Sequence, residues 1–184
     1  MLAYFDAARE LILLILLVTA AFTDLAYGKV YNWATLPAIV LGLLLGYVLG
    51  GVNQGRSTPD QFSLVQSLLG IALAGGIFGV FFLLGAFGAG DLKLAVAVGA
   101  LKGWSFTLAA IAYAALVGGA VALAVLVWKG QLRRGLKDSL TAVVRPGKRA
   151  KGLEPDSPAR LTVPYGFAIS AGTLWAWLIG VQVL

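Results

Sequence analysis

Two aspartates, Asp24 and Asp91, stand in otherwise apolar surroundings, and together they are the residues with which this chain could cut a peptide bond. Phe22-Thr23-Asp24-Leu25 ends one apolar run, and Gly88-Ala89-Gly90-Asp91 opens another. Two carboxylates brought within reach of one water cannot both ionise easily, so one keeps its proton while the other serves as base. The charged member takes a proton from water as it attacks a peptide carbonyl. The protonated member donates to the developing oxyanion and then toward the leaving nitrogen. Such a pair titrates as a unit and calls for no metal or cofactor. An aspartate near the middle of a lipid-facing helix costs about 2.5 to 3.5 kcal/mol, less toward the interface, so an acid kept there points to a role. Each acid alone also has a plainer explanation: Asp24 can reach toward lipid headgroups, and Asp91 is a good N-cap for the helix behind it.

The remaining composition narrows the chemistry. The chain has no cysteine and no histidine, which removes disulfides, thiolate nucleophiles, the usual zinc sites and imidazole bases. Carboxylates, hydroxyls, lysines and the backbone are what is left. Gly88 and Gly90 suit a site beside Asp91, because small residues let a substrate backbone come close and allow an abrupt turn into a helix.

The elements that must position these acids are membrane helices. Of the 184 residues 60% are hydrophobic and 12% charged, against about a quarter charged in an ordinary soluble domain. A spanning helix needs ~20 apolar residues. The sequence predicts an all-α polytopic bundle of about six transmembrane helices in a single domain over 1–184, with spans near 9–27, 33–50, 64–87, 91–102, 105–128 and 161–182. The fourth is short, is parted from the fifth only by Lys102 and Gly103, and could instead be re-entrant. The apolar run Leu11 to Phe22 within the first is read as a span and not a removable signal, since Asp6 and Glu10 precede the run without a basic cluster and Asp24 and Lys29 follow it. Gly42 and Gly46, Gly75 and Gly79, and Gly118 and Gly119 offer small surfaces for close helix packing.

Most of the 14 basic residues fall in one stretch, 129–160: Lys129, Arg133, Arg134, Lys137, Arg145, Lys148, Arg149, Lys151 and Arg160. Its prolines and glycines predict a mostly irregular loop, with 131–144 able to form a short amphipathic helix on the membrane surface. The charge reads as a topology signal and not as a nucleic-acid or lipid site, which puts this loop on the cytoplasmic side. Counting back through alternating spans puts Asp24, Asp91 and the stretch 161–166 on that same face. An even number of crossings between the acids keeps them together whatever the absolute orientation.

Gly88-Ala89-Gly90-Asp91-Leu92-Lys93-Leu94 resembles the GxGDxKL signature of type IV prepilin peptidases. Phe22-Thr23-Asp24-Leu25, followed by Lys29 and Asn32, resembles their first aspartate motif, and Pro164-Tyr165-Gly166 looks like a third signature. The position before Asn32, often proline in that family, is Tyr31 here. The resemblance implies a prokaryotic inner-membrane aspartic endopeptidase that removes the short basic leader of prepilin-like or pseudopilin substrates, usually after a glycine, on the cytoplasmic side. It implies Asp24 and Asp91 as the catalytic pair. Gly88, Gly90 and Lys93 would shape the site, and Lys29, Asn32, Pro164, Tyr165 and Gly166 would contribute to substrate binding. The cysteine zinc motif of the larger bifunctional relatives is not in this sequence, so N-methyltransferase activity is not expected. The short form looks most like the enzymes dedicated to Flp-type pilins, with archaeal preflagellin peptidases also similar.

Two other classes compete. Paired intramembrane acids also bind cations in proton- or ion-coupled transporters, which need them near mid-membrane with access from both sides. A non-catalytic platform for pilus assembly would tolerate the loss of both acids.

Overall fold

The computed structural model describes residues 2–50, 62–128 and 165–180. The basic stretch 129–160 with its expected helix at 131–144, most of the 51–63 connection, and Pro164 lie outside the described residues. What is described is all-helical, as the sequence predicts. The helices are α1 (Leu2–Tyr27), α2 (Asn32–Gly50), α3 (Leu64–Leu83), a run Ala89–Trp128 that breaks at Gly103, and a last helix Tyr165–Ile179. We number the two parts of the broken run α4 (89–102) and α5 (104–128), and the last helix α6.

These segments are helical because a chain in hydrocarbon must satisfy its backbone internally, and because their side chains are apolar on every side. α1 illustrates the division of labour. Leu13, Leu16, Leu17 and Ala20 are buried, while Leu11, Ile15, Val18, Phe22 and Leu25 are exposed, so one stripe meets protein and the other is left for lipid. Thr23 and Asp24 continue the buried stripe, which turns Asp24 into the bundle. α1, α2, α3 and the broken run are each long and apolar enough to cross a membrane. The chain is an integral membrane protein.

Gly103 has φ 79° and ψ 178°, a backbone state open to glycine and strained for other residues. The helix stops there and returns on itself. Ala95 and Val98 of α4 therefore line one small cavity with Thr107, Ala110 and Ala114 of α5, closed by Phe78, Ile169 and Thr173. The expected fourth and fifth spans are thus two arms of a helical hairpin. The α4 arm rises about 21 Å, less than the ~30 Å of a hydrocarbon core.

Small residues hold the arms against their neighbours. A Cβ on Gly70 of α3 would run into the carbonyl of Gly99 in α4, and one on Gly172 of α6 would strike the backbone of Ala114 in α5. Gly42 of α2 leaves only 2.7 Å between such a Cβ and the Ala100 carbonyl, and Gly46 leaves 2.7 Å to the Ser67 hydroxyl oxygen. The other expected pairs behave differently. Gly75 comes no closer than 3.8 Å to Val96, Gly118 meets Ala168 at an ordinary 3.4 Å, and Gly79 and Gly119 face open space. α3 packs most closely through Gly70, nearer its start than the sequence pattern suggested.

Two span limits also shift. α3 ends at Leu83, four residues short of the expected 87, because Leu84 caps it and Gly85 turns with φ 72°. The N–H groups of Gly85 and Ala86 close the turn on Phe82 and Phe81, and this leaves Phe87 off the helix. α1 reaches back to Leu2 instead of beginning near 9, with Arg9 lying 3.5 Å from Asp6 one turn earlier. At this end of the bundle Glu10 binds Lys102 at 2.7 Å and accepts from the Trp177 indole N–H at 2.7 Å, joining α1, the hairpin tip and α6.

Candidate active site

Asp24 and Asp91 lie at the other end, where α1 and α3 finish and α2, α4 and α6 begin. Each acid meets the start of a helix, whose first N–H groups lack intrahelical partners. Asp24 is buried, 8% exposed, and one of its carboxylate oxygens accepts the Phe167 N–H at 2.8 Å. Phe167 is the third residue of α6, so Asp24 takes the place an N-cap side chain would fill, from a neighbouring helix. Asp91 is the third residue of α4 and reaches back to accept the Gly88 N–H at 3.1 Å, the returning half of a capping box. The positive end of a helix dipole thus faces each carboxylate.

The local sequence explains both placements. Gly28, with φ 63°, closes α1 by donating to the Asp24 carbonyl at 2.8 Å, so the chain leaves the helix one turn beyond the acid. The turn carries Val30 inward between two glycines. A Cβ on Gly90 would sit 3.1 Å from Val30 Cβ, and a Cβ on Gly166 would sit 2.7 Å from Val30 Cγ2. On Gly166 it would also lie 3.0 Å from Asp24 Cγ and Oδ2. Glycine is what lets α4 and α6 close on Val30 and Asp24.

The other residues singled out from sequence divide into two groups. Gly88, Gly90, Tyr165 and Gly166 belong to the acids' supports: Gly88 binds Asp91, Gly166 packs beside Asp24 and with Gly90 flanks Val30, and the Tyr165 ring stands edge-on to Phe87 with centroids 4.9 Å apart. Lys93 and Asn32 form a separate brace. Lys93 follows Asp91 by two positions, about 200° around the helix, and its ammonium donates to the Asn32 side-chain oxygen at 2.9 Å, tying α4 to α2. Lys29 is exposed on the α1–α2 turn. Among the described residues no three of His, Cys, Asp and Glu gather, so the acidic donors of the site are these two carboxylates.

Sequence reasoning passed over Val30 and Phe87. Val30 carries no chemical signal, being one aliphatic residue among many. Phe87 did have one, since it directly precedes the Gly88-to-Asp91 string. Its ring stacks on Phe78 at 5.1 Å and meets Phe81 edge-on at 5.5 Å, which anchors the turn to α3.

No match is found among curated proteins or among solved structures. A family model does match: that of the type IV leader peptidases, over residues 11–123, well over half of the chain and inclusive of both aspartates. The chain, a membrane bundle with two carboxylates at one end, belongs to the type IV leader peptidase family.

Proposed function

We propose that this peptidase is an aspartic endopeptidase that cuts the basic leader from prepilin-like substrates, with water activated between Asp24 and Asp91. The observation that carries the reading is that both carboxylates occupy one end of the bundle, each fixed by a backbone N–H at a helix start, with Val30 touching both flanking glycines. A water between them loses a proton to the ionised carboxylate and attacks the scissile carbonyl. The protonated partner donates to the oxyanion, and as the C–N bond breaks a proton passes to the departing amine. Holding both acids by main-chain donors limits the reorganisation needed as the transition state forms.

The substrate fits the same end. Gly88 is exposed and leaves room for an extended peptide beside Asp91, whereas Val30 fills the space at Gly90, and Gly166 borders Asp24 on the α6 side. Lys93, Asn32 and Lys29 lie on the rim, where they would steer or seat the leader. Pro164 belongs to the same proposed signature as Tyr165 and Gly166. The site opens to the cytoplasm in this reading, since the basic residues of 129–160 favour the inner side and an even number of crossings keeps the acids with them. Flp-type prepilins are the favoured substrates.

The test is co-expression with candidate prepilins, reading leader removal as a size shift on a gel. Asp24→Asn and Asp91→Asn should each abolish processing while the protein still inserts and accumulates. Full processing by either variant would exclude this mechanism.

A further inference from the structure

The spacing between two catalytic carboxylates must be held to fractions of an ångström, yet they sit on different helices and each depends on a different stretch of backbone. Asp91 is oriented by the N–H of Gly88, and Asp24 by the N–H of Phe167. Phe87 immediately precedes the first donor residue, and Tyr165 stands two positions before the second. Their rings meet edge-on at 4.9 Å and an interplanar angle of 84°. That arrangement brings the positive edge of one ring to the negative face of the other and is directional, unlike aliphatic contact.

We infer that Phe87 and Tyr165 are positioning residues: their rings form a clasp that sets the separation of the Asp24 and Asp91 carboxylates by joining the two backbone segments that hold them. The inference rests on the two-aspartate mechanism proposed above and adds to it how the pair is spaced. The clasp has a firm anchor on one side only. Phe87 is stacked on Phe78, whose side chain is buried, and is met edge-on by Phe81, so it is fixed to α3. Tyr165 opens α6 and is partly exposed, so Phe87 supplies the fixed surface against which the start of α6 comes to rest. Val30, packed between Gly90 and Gly166, gives a second point of contact between α4 and α6. An aliphatic side chain at 87 or 165 would keep apolar volume but lose the edge-to-face geometry. The acids would then remain present with their spacing loosened.

The predicted signature is kinetic. In purified full-length enzyme acting on a prepilin with a basic leader, Phe87→Leu and Tyr165→Leu should each lower kcat about tenfold with KM unchanged, since loss of alignment lowers the rate of the bound complex. Tyr165→Phe and Phe87→Tyr, which keep the rings, should restore kcat to within about twofold. The double variant Phe87→Leu/Tyr165→Leu should be no slower than the worse single, because both remove one contact. If Phe87→Leu fails to accumulate, Tyr165→Leu and its phenylalanine rescue carry the test. A rise in KM at constant kcat would make the rings a substrate wall and overturn the clasp, as would unchanged kcat or independent, multiplying losses. Asp24→Asn is run alongside. Activity in that variant defeats the underlying mechanism, whereas an inactive Asp24→Asn beside a fully active Tyr165→Leu defeats the clasp alone.

Discussion

Gly166→Ala adds a single methyl group at the point where α6 meets Asp24, and its effect can be worked out from distances. The new Cβ would stand 2.7 Å from Val30 Cγ2 and 3.0 Å from Asp24 Cγ and Oδ2. Against ordinary contact beginning at 3.4 Å, the deficit is about 0.7 Å at Val30 and about 0.4 Å at Asp24. Val30 is itself pressed against Gly90, so it has little room to withdraw. Either the Asp24 carboxylate swings away from the Phe167 N–H or the start of α6 retreats, and both outcomes alter the pair. Since a misplacement of 1 Å in a catalytic group costs about a hundredfold, a shift of this size predicts a loss of about tenfold in kcat. Overpacking should also lower stability by about 1 to 3 kcal/mol. The assay is leader cleavage by the purified enzyme under saturating substrate, with thermal unfolding in the same detergent. Gly76→Ala is the control, because a Cβ there meets nothing within 4 Å. Wild-type kcat and stability in Gly166→Ala would refute the claim that α6 closes tightly on Asp24.

Two further outcomes follow from the packing. Lys102→Met should destabilise the protein by about 2 kcal/mol in thermal or denaturant unfolding, because it strips Glu10 of its partner at 2.7 Å while Arg9, at 3.3 Å, compensates in part. Pairing it with Glu10→Gln should recover part of that loss, and an unaffected single variant would contradict the ion-pair account. Gly70→Ala, whose Cβ would run into the Gly99 carbonyl, should reduce accumulation of folded protein in the membrane. Gly79→Ala on the same helix should be tolerated, since open space surrounds it, and equal behaviour of the two would contradict the tight α3–α4 contact.

How far the sequence could be read depended on whether a feature was local. The Asp24 and Asp91 motifs, the apolar lengths and the break near Lys102 and Gly103 are local, and they pointed to an all-helical membrane bundle with both acids at one end. Which face of each helix turns inward was less legible. In α1 the buried residue Leu17 and the exposed residue Val18 are equally apolar, so hydropathy alone cannot say which meets lipid. The same blindness hid the difference between Gly70, which packs hard, and Gly79, which does not. Contacts made across long sequence separations were invisible for another reason: Glu10 with Trp177, Asp24 with Phe167 and Phe87 with Tyr165 each depend on the topology bringing distant segments together. Glu10, an acid inside an apolar helix, did carry a signal that could have marked the first of these.

Residual leader-cleavage rates of purified Asp24→Asn, Asp91→Asn and the double variant, measured against wild type, decide whether the two acids act on one water. Two carboxylates sharing one water should fail as a unit, so each single variant should fall to the same floor and the double should fall no further. A single variant retaining substantial rate, with the double losing the product of the two effects, would mean that the acids act independently and would contradict the mechanism.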